Sequence, residues 1–451
     1  MTSYKRLWQA VIAASTLVLA HAAVAAVPSA EAERLKGALT PLGGERAGNA
    51  SGSIPAWNGG YTTPIPGFVN GGRRSDPFSS DKPLYSVTSK NMSQYAEVLS
   101  DGTKAMLQKY PDSFRIDVYP TRRTAAAPQW VYENTSRNAT RASIVDGSSG
   151  AMPQGAYGGI PFPIPRTGIE VVWNHLLRWR GEAFHMDFNG MLGTANGKTV
   201  LTVDGKSPQN VPYYFRDGSL EKFNGEYWLL RIFNSGPPVR AGEGIAARMR
   251  LDGNDQSWVY LTGQRRVRKL PNVCCDTPTP ATAGVMSFDE VDVFTGTTNR
   301  FDWKLVGKKE LLIPYNANKL LSATDEQAVT GHHLNPDFLR WEQHRVWVVE
   351  ATLKSGQRHQ APKTVYYFDE DTWQGALADR WDAKGQLWKT LWEANVVMPD
   401  LPGTVGLTFG FYDLISGASY YNGLYGSKTE QYKIMRPYPD AMFTPDGLIS
   451  C

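Results

Sequence analysis

From Glu182 onward the chain alternates apolar and polar residues in short runs, and this pattern restricts its fold more than any other feature. The runs are Ala183–Phe188, Val211–Phe215, Tyr227–Phe233, Ile245–Leu251, Trp258–Leu261, Val267–Leu270, Arg345–Leu353 and Lys363–Phe368. A period of two places every second side chain on one face of a strand, and turn signals such as LDGND and DAKG separate several of the runs. The spacing predicts a large antiparallel sheet or barrel. In the run 227–233, Trp228, Leu230 and Ile232 share one face, with Arg231 on the wetter one. In the run 345–353, the set Trp347, Val349 and Ala351 is expected inward, because the alternative set contains Glu350. No fixed-period repeat is present.

Upstream, helical spacing is expected over Asn91–Lys109, and Phe114–Val118 reads as a short strand before Pro120. Pro128–Val145 fits either helix or strand, and Gly147–Arg166, rich in Gly and Pro, reads as a loop. Ile169, Val172, Trp173, Leu176 and Leu177 form one face of an amphipathic helix stopped by Gly181, with His175 and Arg178 off the stripe and His175 read as solvated or capping. The segment Leu39–Pro83 is Gly-, Pro-, Ser- and Asn-rich and is expected to be extended, either wrapping a surface or staying partly mobile.

Export is written into the first 26 residues: Lys5 and Arg6, a short apolar stretch, then Ala23-Val24-Ala25-Ala26. The apolar stretch is shorter than the roughly 20 residues of a spanning helix. No cysteine at the cleavage position offers a lipid attachment point, so the expected location is the periplasm, at most peripheral to the outer membrane. Without Lys5 and Arg6, the 47 basic residues fall to 45 against 43 acidic ones, too balanced for a nucleic-acid binder. Three cysteines, two of them adjacent (Cys274 and Cys275) and one terminal (Cys451), do not make a disulfide-stapled fold.

Catalytic signatures are absent: there is no G-x-S-x-G elbow, Walker loop, H-E-x-x-H or C-x-x-C. His332-His333 on a strand would point to opposite faces and make no metal site. Asp289 and Glu290, with Asp292 close by, are read as neighbours in a strand and so as facing opposite ways, and Asp369, Glu370 and Asp371 read as turn residues. Neither catalytic residues, a metal nor a cofactor is expected. Within the basic run 265–269, Arg266 and Arg268 share a face; a solvated edge strand is the plain reading, and contact with a lipid headgroup or gating of a mobile segment the functional one.

Two stretches, SWVYLTGQRRVRKLP (257–271) and VYYFDEDTWQGALADRWDAKGQLWKTLWE (365–393), resemble the paired strands of periplasmic Lol lipoprotein carriers. Together with GGIPFPIPRTGIEVVWNHLLRWRG, CDTPTPATAGVMSFDEVDVFTGTTNRFDWKLVGKKELLIPYN and RWEQHRVWVVEATLKSGQRH, they resemble a proteobacterial family of exported proteins with a domain of unknown function, labelled outer-membrane lipoprotein-sorting proteins. That resemblance implies a mainly β (α+β) fold: a strongly curved antiparallel sheet or incomplete β-barrel whose concave face is plugged by helices. It implies a leader (1–26), an extended segment (27–90) and one carrier-like domain (91–451). It further implies a hydrophobic ligand, such as a lipid or a lipoprotein acyl chain, and an envelope exporter or outer-membrane partner. The expected ligand contacts are Trp228, Leu230, Ile232, Trp173, Leu176, Trp258, Tyr260, Trp347 and Val349, under a lid made by the helix 168–180. A carbohydrate-active protein and an adaptor of an export complex are the alternatives. If the export reading is right, osmotic shock releases a chain whose N-terminal residue, by Edman or mass-spectrometric sequencing, is Ala26 or Val27. An uncleaved cytoplasmic chain would refute it.

Overall fold

The computed structural model describes residues 26–147, 150–270 and 274–449; the expected leader up to residue 25 and Cys451 fall outside them. Among these residues, sixteen strands form one large, curved, mixed sheet that does not close into a barrel, with few helices. In chain order they are β1 Tyr85–Val87, β2 Ile116–Val118, β3 Ala183–Gly193, β4 Thr199–Asn210, β5 Glu226–Gly236, β6 Gly244–Arg250, β7 Gln256–Leu261 and β8 Arg266–Lys269. There follow β9 Phe301–Pro314, β10 Trp341–Leu353, β11 Lys363–Asp369, β12 Gly375–Trp381, β13 Leu387–Met398, β14 Gly403–Asp413, β15 Ser419–Leu424 and β16 Tyr432–Ile434. The main path is β1-β2-β10-β11-β12-β13-β14-β15-β3-β4-β5-β6-β7-β8, with β9 on β10 and β16 on β3. All pairings are antiparallel except β2 with β10, which meet in parallel at Val118 and Trp341.

Around β10 both faces of the sheet are apolar. On β10, Val349 and Ala351 belong to one core with Trp228, while Val346 and Val348 belong to a second core on the other face. Trp347 is half-buried on the first face, stacked 6.3 Å from Trp373. The 365–393 block folds as its sequence suggests: β11 ends in an acidic turn, and Asp382 Oδ1 accepts from the N–H groups of Lys384 and Gln386, each at 2.9 Å, to turn β12 into β13.

Helix α1 (Asp101–Lys109) starts at Ser100, whose side chain accepts from the Thr103 N–H at 3.1 Å; the residues before it, Met92–Val98, are a 3₁₀ turn rather than part of one long helix. Helix α2 (Gln129–Arg141) resolves the 128–145 ambiguity, because Pro128 precedes a helix start and Ser143–Gly147 then becomes a strand. Two expectations fail. Gly150–Gln154 is a strand paired with Ser143–Gly147, not loop, and Val211–Phe215 is broken by a 3₁₀ turn at Pro212–Tyr214, where proline removes a ladder donor.

Helix α3 (Gly168–Leu176) opens on a capping box between Thr167 and Glu170. The off-stripe His175 is buried, contrary to expectation, and Arg178 just beyond the helix is buried too. His175 is fully buried; its Nδ1 accepts from the Gly375 N–H at 2.9 Å and its Nε2–H donates to the Phe294 carbonyl at 3.0 Å. Burial, with Arg178 beside it, holds the imidazole well below its usual range and therefore neutral.

The early Gly/Pro-rich segment is laid along the molecule by buried polar contacts. Arg123 grips Asp371 through Nε (2.8 Å) and a terminal nitrogen (2.7 Å) and donates to the Glu45 carbonyl at 2.7 Å. Arg74 grips Asp400 at 2.9 and 2.7 Å and donates to the Tyr432 carbonyl at 2.8 Å. Removing one partner of a buried pair strands the other, at about 3–5 kcal/mol. Arg123→Met is therefore expected to lose stability of that order in chemical denaturation, and to expose residues 39–83 to limited proteolysis. Unchanged stability and cleavage would show that this pair does not hold the segment.

Candidate functional site

Seven adjacent strands, β14-β15-β3-β4-β5-β6-β7, contribute to one cavity, so the sheet face they share is concave there. The floor is apolar: Phe184, Met186 and Phe188 come from β3, Trp228, Leu230 and Ile232 from β5, Ile245, Ala247 and Met249 from β6, and Val405, Leu407 and Phe409 from β14. Each triplet is an i, i+2, i+4 set, so the period-two pattern of the sequence builds the floor directly. The indole N–H of Trp228 donates to Gln209 Oε1 at 2.7 Å, which fixes the ring.

The cover is a segment between β8 and β9. Thr279, Ala281, Thr282, Phe288, Val291, Asp292 and Thr295 face the cavity from it. This corrects the expectation that α3 forms the lid. Trp173 and Leu176 are buried but do not line the cavity; α3 packs against the strand Gly150–Gln154, β9 and β10, and the Trp173 indole donates to the Ala151 carbonyl at 2.8 Å while its ring meets Tyr227 of β5 edge-on, 6.2 Å away. The stretch just after α3 supplies Arg180 to the cavity instead.

Other expected contacts lie elsewhere too. On β7 it is Ser257 that reaches the cavity, so the alternation turns Trp258 and Tyr260 to the opposite, half-exposed face. Trp347 and Val349 belong to the same core as Trp228 but do not line the cavity. Arg266 and Arg268 are exposed on the edge strand β8 and are not part of it. His332, His333, Asp289, Glu290 and Asp371 do not meet: His333 bonds Ser113 and the Leu334 carbonyl, and Asp371 is held by Arg123.

Asp289 and Glu290 instead anchor the cover. Arg380 of β12 reaches Asp289 at 3.1 Å and Glu290 at 3.4 Å, Lys389 of β13 reaches Glu290 at 2.7 Å, and His359 reaches Asp289 at 2.7 Å. Burial favours the neutral acid, but Arg380 and His359 outweigh it and hold the Asp289 carboxyl well below its ordinary range.

A second charged group closes the cavity beneath the cover. Arg180 and Arg178 approach Asp292 Oδ2 at 3.0 and 3.2 Å, Arg178 reaches Glu393 Oε1 at 3.5 Å, and the Arg180 guanidinium lies 4.3 Å from the Trp228 ring centroid. Gly406 is small because it must be: a Cβ there would sit 2.0 Å from Glu393 Oε1. The sequence held a signal for these residues in LLRWRG, where two arginines follow an apolar helix face; nothing in it tied them to Asp292 or Glu393, more than 100 positions away.

Burial pushes the Glu393 carboxyl up to about 8, against the pull of Arg178. A raised folded pKa means a stability contribution that is whole below the unfolded value of 4.5 and is lost as pH rises through about 8. Glu393→Gln, which cannot ionise, should flatten the fall in denaturation free energy between those pH values. An unaltered slope would remove Glu393 as its source.

The cavity measures about 120 Å3. That compares with a dry engineered cavity of about 150 Å3 that binds benzene.

A family profile described as "Protein of unknown function (DUF1329)" matches residues 86–449. An uncharacterized protein of Pseudomonas aeruginosa is 37% identical over 96% of this chain and 95% of its own length. Among solved structures, a domain described as outer membrane lipoprotein-sorting from Vibrio parahaemolyticus has a TM-score of 0.43 and 14% identity, covering 62% of this chain and 98% of that one. A LolA superfamily protein from Nitrosomonas europaea has a TM-score of 0.36 and 13% identity, covering 63% of this chain and 100% of that one. Both are distant likenesses.

Proposed function

The chain belongs to the DUF1329 family, and from that footing we propose that it is a non-catalytic periplasmic carrier or chaperone for a lipid, a lipoprotein acyl chain or another hydrophobic molecule on its way to the outer membrane. The observation that carries the reading is the covered apolar cavity over Trp228, Leu230 and Ile232. An acyl chain crossing an aqueous compartment must be shielded, and apolar burial is worth roughly 25 cal/mol per Å2. A concave sheet offers such a surface, and a cover held by ion pairs rather than by continuous strand pairing can leave it. Among the described residues no helix is long and apolar enough to cross a membrane. The carboxylates nearest the cavity, Asp292 and Glu393, are both engaged by Arg178, an arrangement unlike the free pair that flanks a scissile glycosidic bond.

Protein purified from its native envelope should release a hydrophobic compound on solvent extraction, identified by mass spectrometry. Trp228→Asp puts a charge where the chain would lie, at several kcal/mol of desolvation, and should release at least about tenfold less. A folded Trp228→Asp variant as loaded as wild type would take the cavity out of the function. Wild type that yields nothing would favour an adaptor of an export complex, binding protein alone.

A further inference from the structure

For a carrier of hydrophobic molecules, the charged end of the cavity bears on the class of ligand. Among the described residues, Arg180 and Asp292 are the charged side chains that line the cavity. Arg180 is 7% exposed, and its buried Nε has no hydrogen-bond partner. A guanidinium offers five donors in a flat fork that matches a carboxylate or a phosphate, and here one terminal nitrogen meets Asp292 at 3.0 Å while Nε goes unmatched. Arg178 takes the same Asp292 oxygen at 3.2 Å, so two cations share one oxygen atom. The second carboxylate compensates poorly: Glu393 meets Arg178 at 3.5 Å through Oε1, its Oε2 has no partner, and burial keeps much of it protonated at neutral pH. Two guanidinium groups thus converge on one Asp292 oxygen in a low-dielectric pocket, and an unmatched buried cation is costly. Directly beside them runs the apolar floor, beginning with Trp228 under the Arg180 guanidinium.

Resting on the carrier reading, we propose that the cavity accepts an acyl amphiphile with a single oxyanion head, a carboxylate or a phosphate. Arg180 receives that head in place of Asp292, while the tail runs along Trp228, Leu230 and Ile232. Asp292 is then a resident stand-in for the ligand's head. It sits on the cover, so exchanging it for the ligand's anion is coupled to lifting the cover.

The test uses the full mature chain and three probes with one fluorescent acyl tail: the fatty acid, its methyl ester and the corresponding monoalkyl phosphate. Wild type should bind at least one anionic probe about tenfold or more tighter than the ester, and whichever anion leads identifies the head. Arg180→Met should bring the anion-to-ester ratio close to one. Asp292→Asn, which removes the competing charge and tolerates the left-handed backbone there, should raise that ratio. The wild-type comparison stands even if Arg180→Met does not fold. Equal affinity of wild type for ester and anions overturns this inference and leaves the carrier reading intact; failure of all three probes to bind wild type overturns both.

Discussion

Around β10 the sheet is apolar on both faces and can leave neither to water, and much of the molecule answers that constraint. With Val349 and Ala351 facing one way and Val346 and Val348 the other, β10 needs covering on both sides. Helices cover part of the sheet, α3 against β9 and β10 and α1 against β12 and β13, and the rest of the covering is done by segments with little secondary structure of their own: the early Gly/Pro-rich stretch and the 279–295 segment between β8 and β9. Such segments lack a ladder of backbone hydrogen bonds to fix their position. Buried ion pairs supply that position instead, Arg74 with Asp400 for the early stretch, to which Arg123, itself paired with Asp371, adds a hydrogen bond at the Glu45 carbonyl, and Arg380 and Lys389 with Asp289 and Glu290 for the cover. A buried pair adds little net stability against an apolar alternative, but a charge out of its matching position is heavily penalised. The pairs therefore set where each segment docks more than how strongly the protein folds.

The same constraint decides how much of the fold is legible in the sequence. Period-two patterns show a strand wherever one face is wetter, as in Tyr227–Phe233, where Arg231 marks it. They fail where both faces are buried: Gly375–Trp381 and Leu387–Met398 are nearly continuous in buried residues, so no alternation shows. Thr199–Asn210 was hidden for another reason, since Gly205 and Pro208 read as turn residues although both sit in a long strand.

At the site, the sequence located the floor of the cavity on β5 but not its cover or its charges. Trp228, Leu230 and Ile232 are local facts of one strand. The exchange of α3 for the 279–295 segment as the lid is a tertiary fact: an amphipathic helix face must be buried, but the pattern does not say against what. For β7 the aromatic content misleads, because Trp258 and Tyr260 are good strand residues on either face, and only the register, with Ser257 inward, decides between them. Arg178, Asp292 and Glu393 come from a helix end, a loop and a strand, and their meeting has no short-range signature.

The backbone of the cover opposes the charges that hold it. Asp292 and Val293 are consecutive non-glycine residues with positive φ, +51° and +67°. Each such residue costs on the order of 1–3 kcal/mol, and β-branched valine is among the least suited to it. The segment does not take this path from local preference; it is drawn there by what Asp292 and its neighbour reach, the two guanidinium groups on one side and, for the buried Val293 side chain, the apolar core on the other. The closed cover is thus a balance between strained backbone and satisfied charge. An element balanced in that way moves when either side is altered, and a competing anion at Arg180 alters it at the one atom, Asp292 Oδ2, on which both guanidinium groups converge.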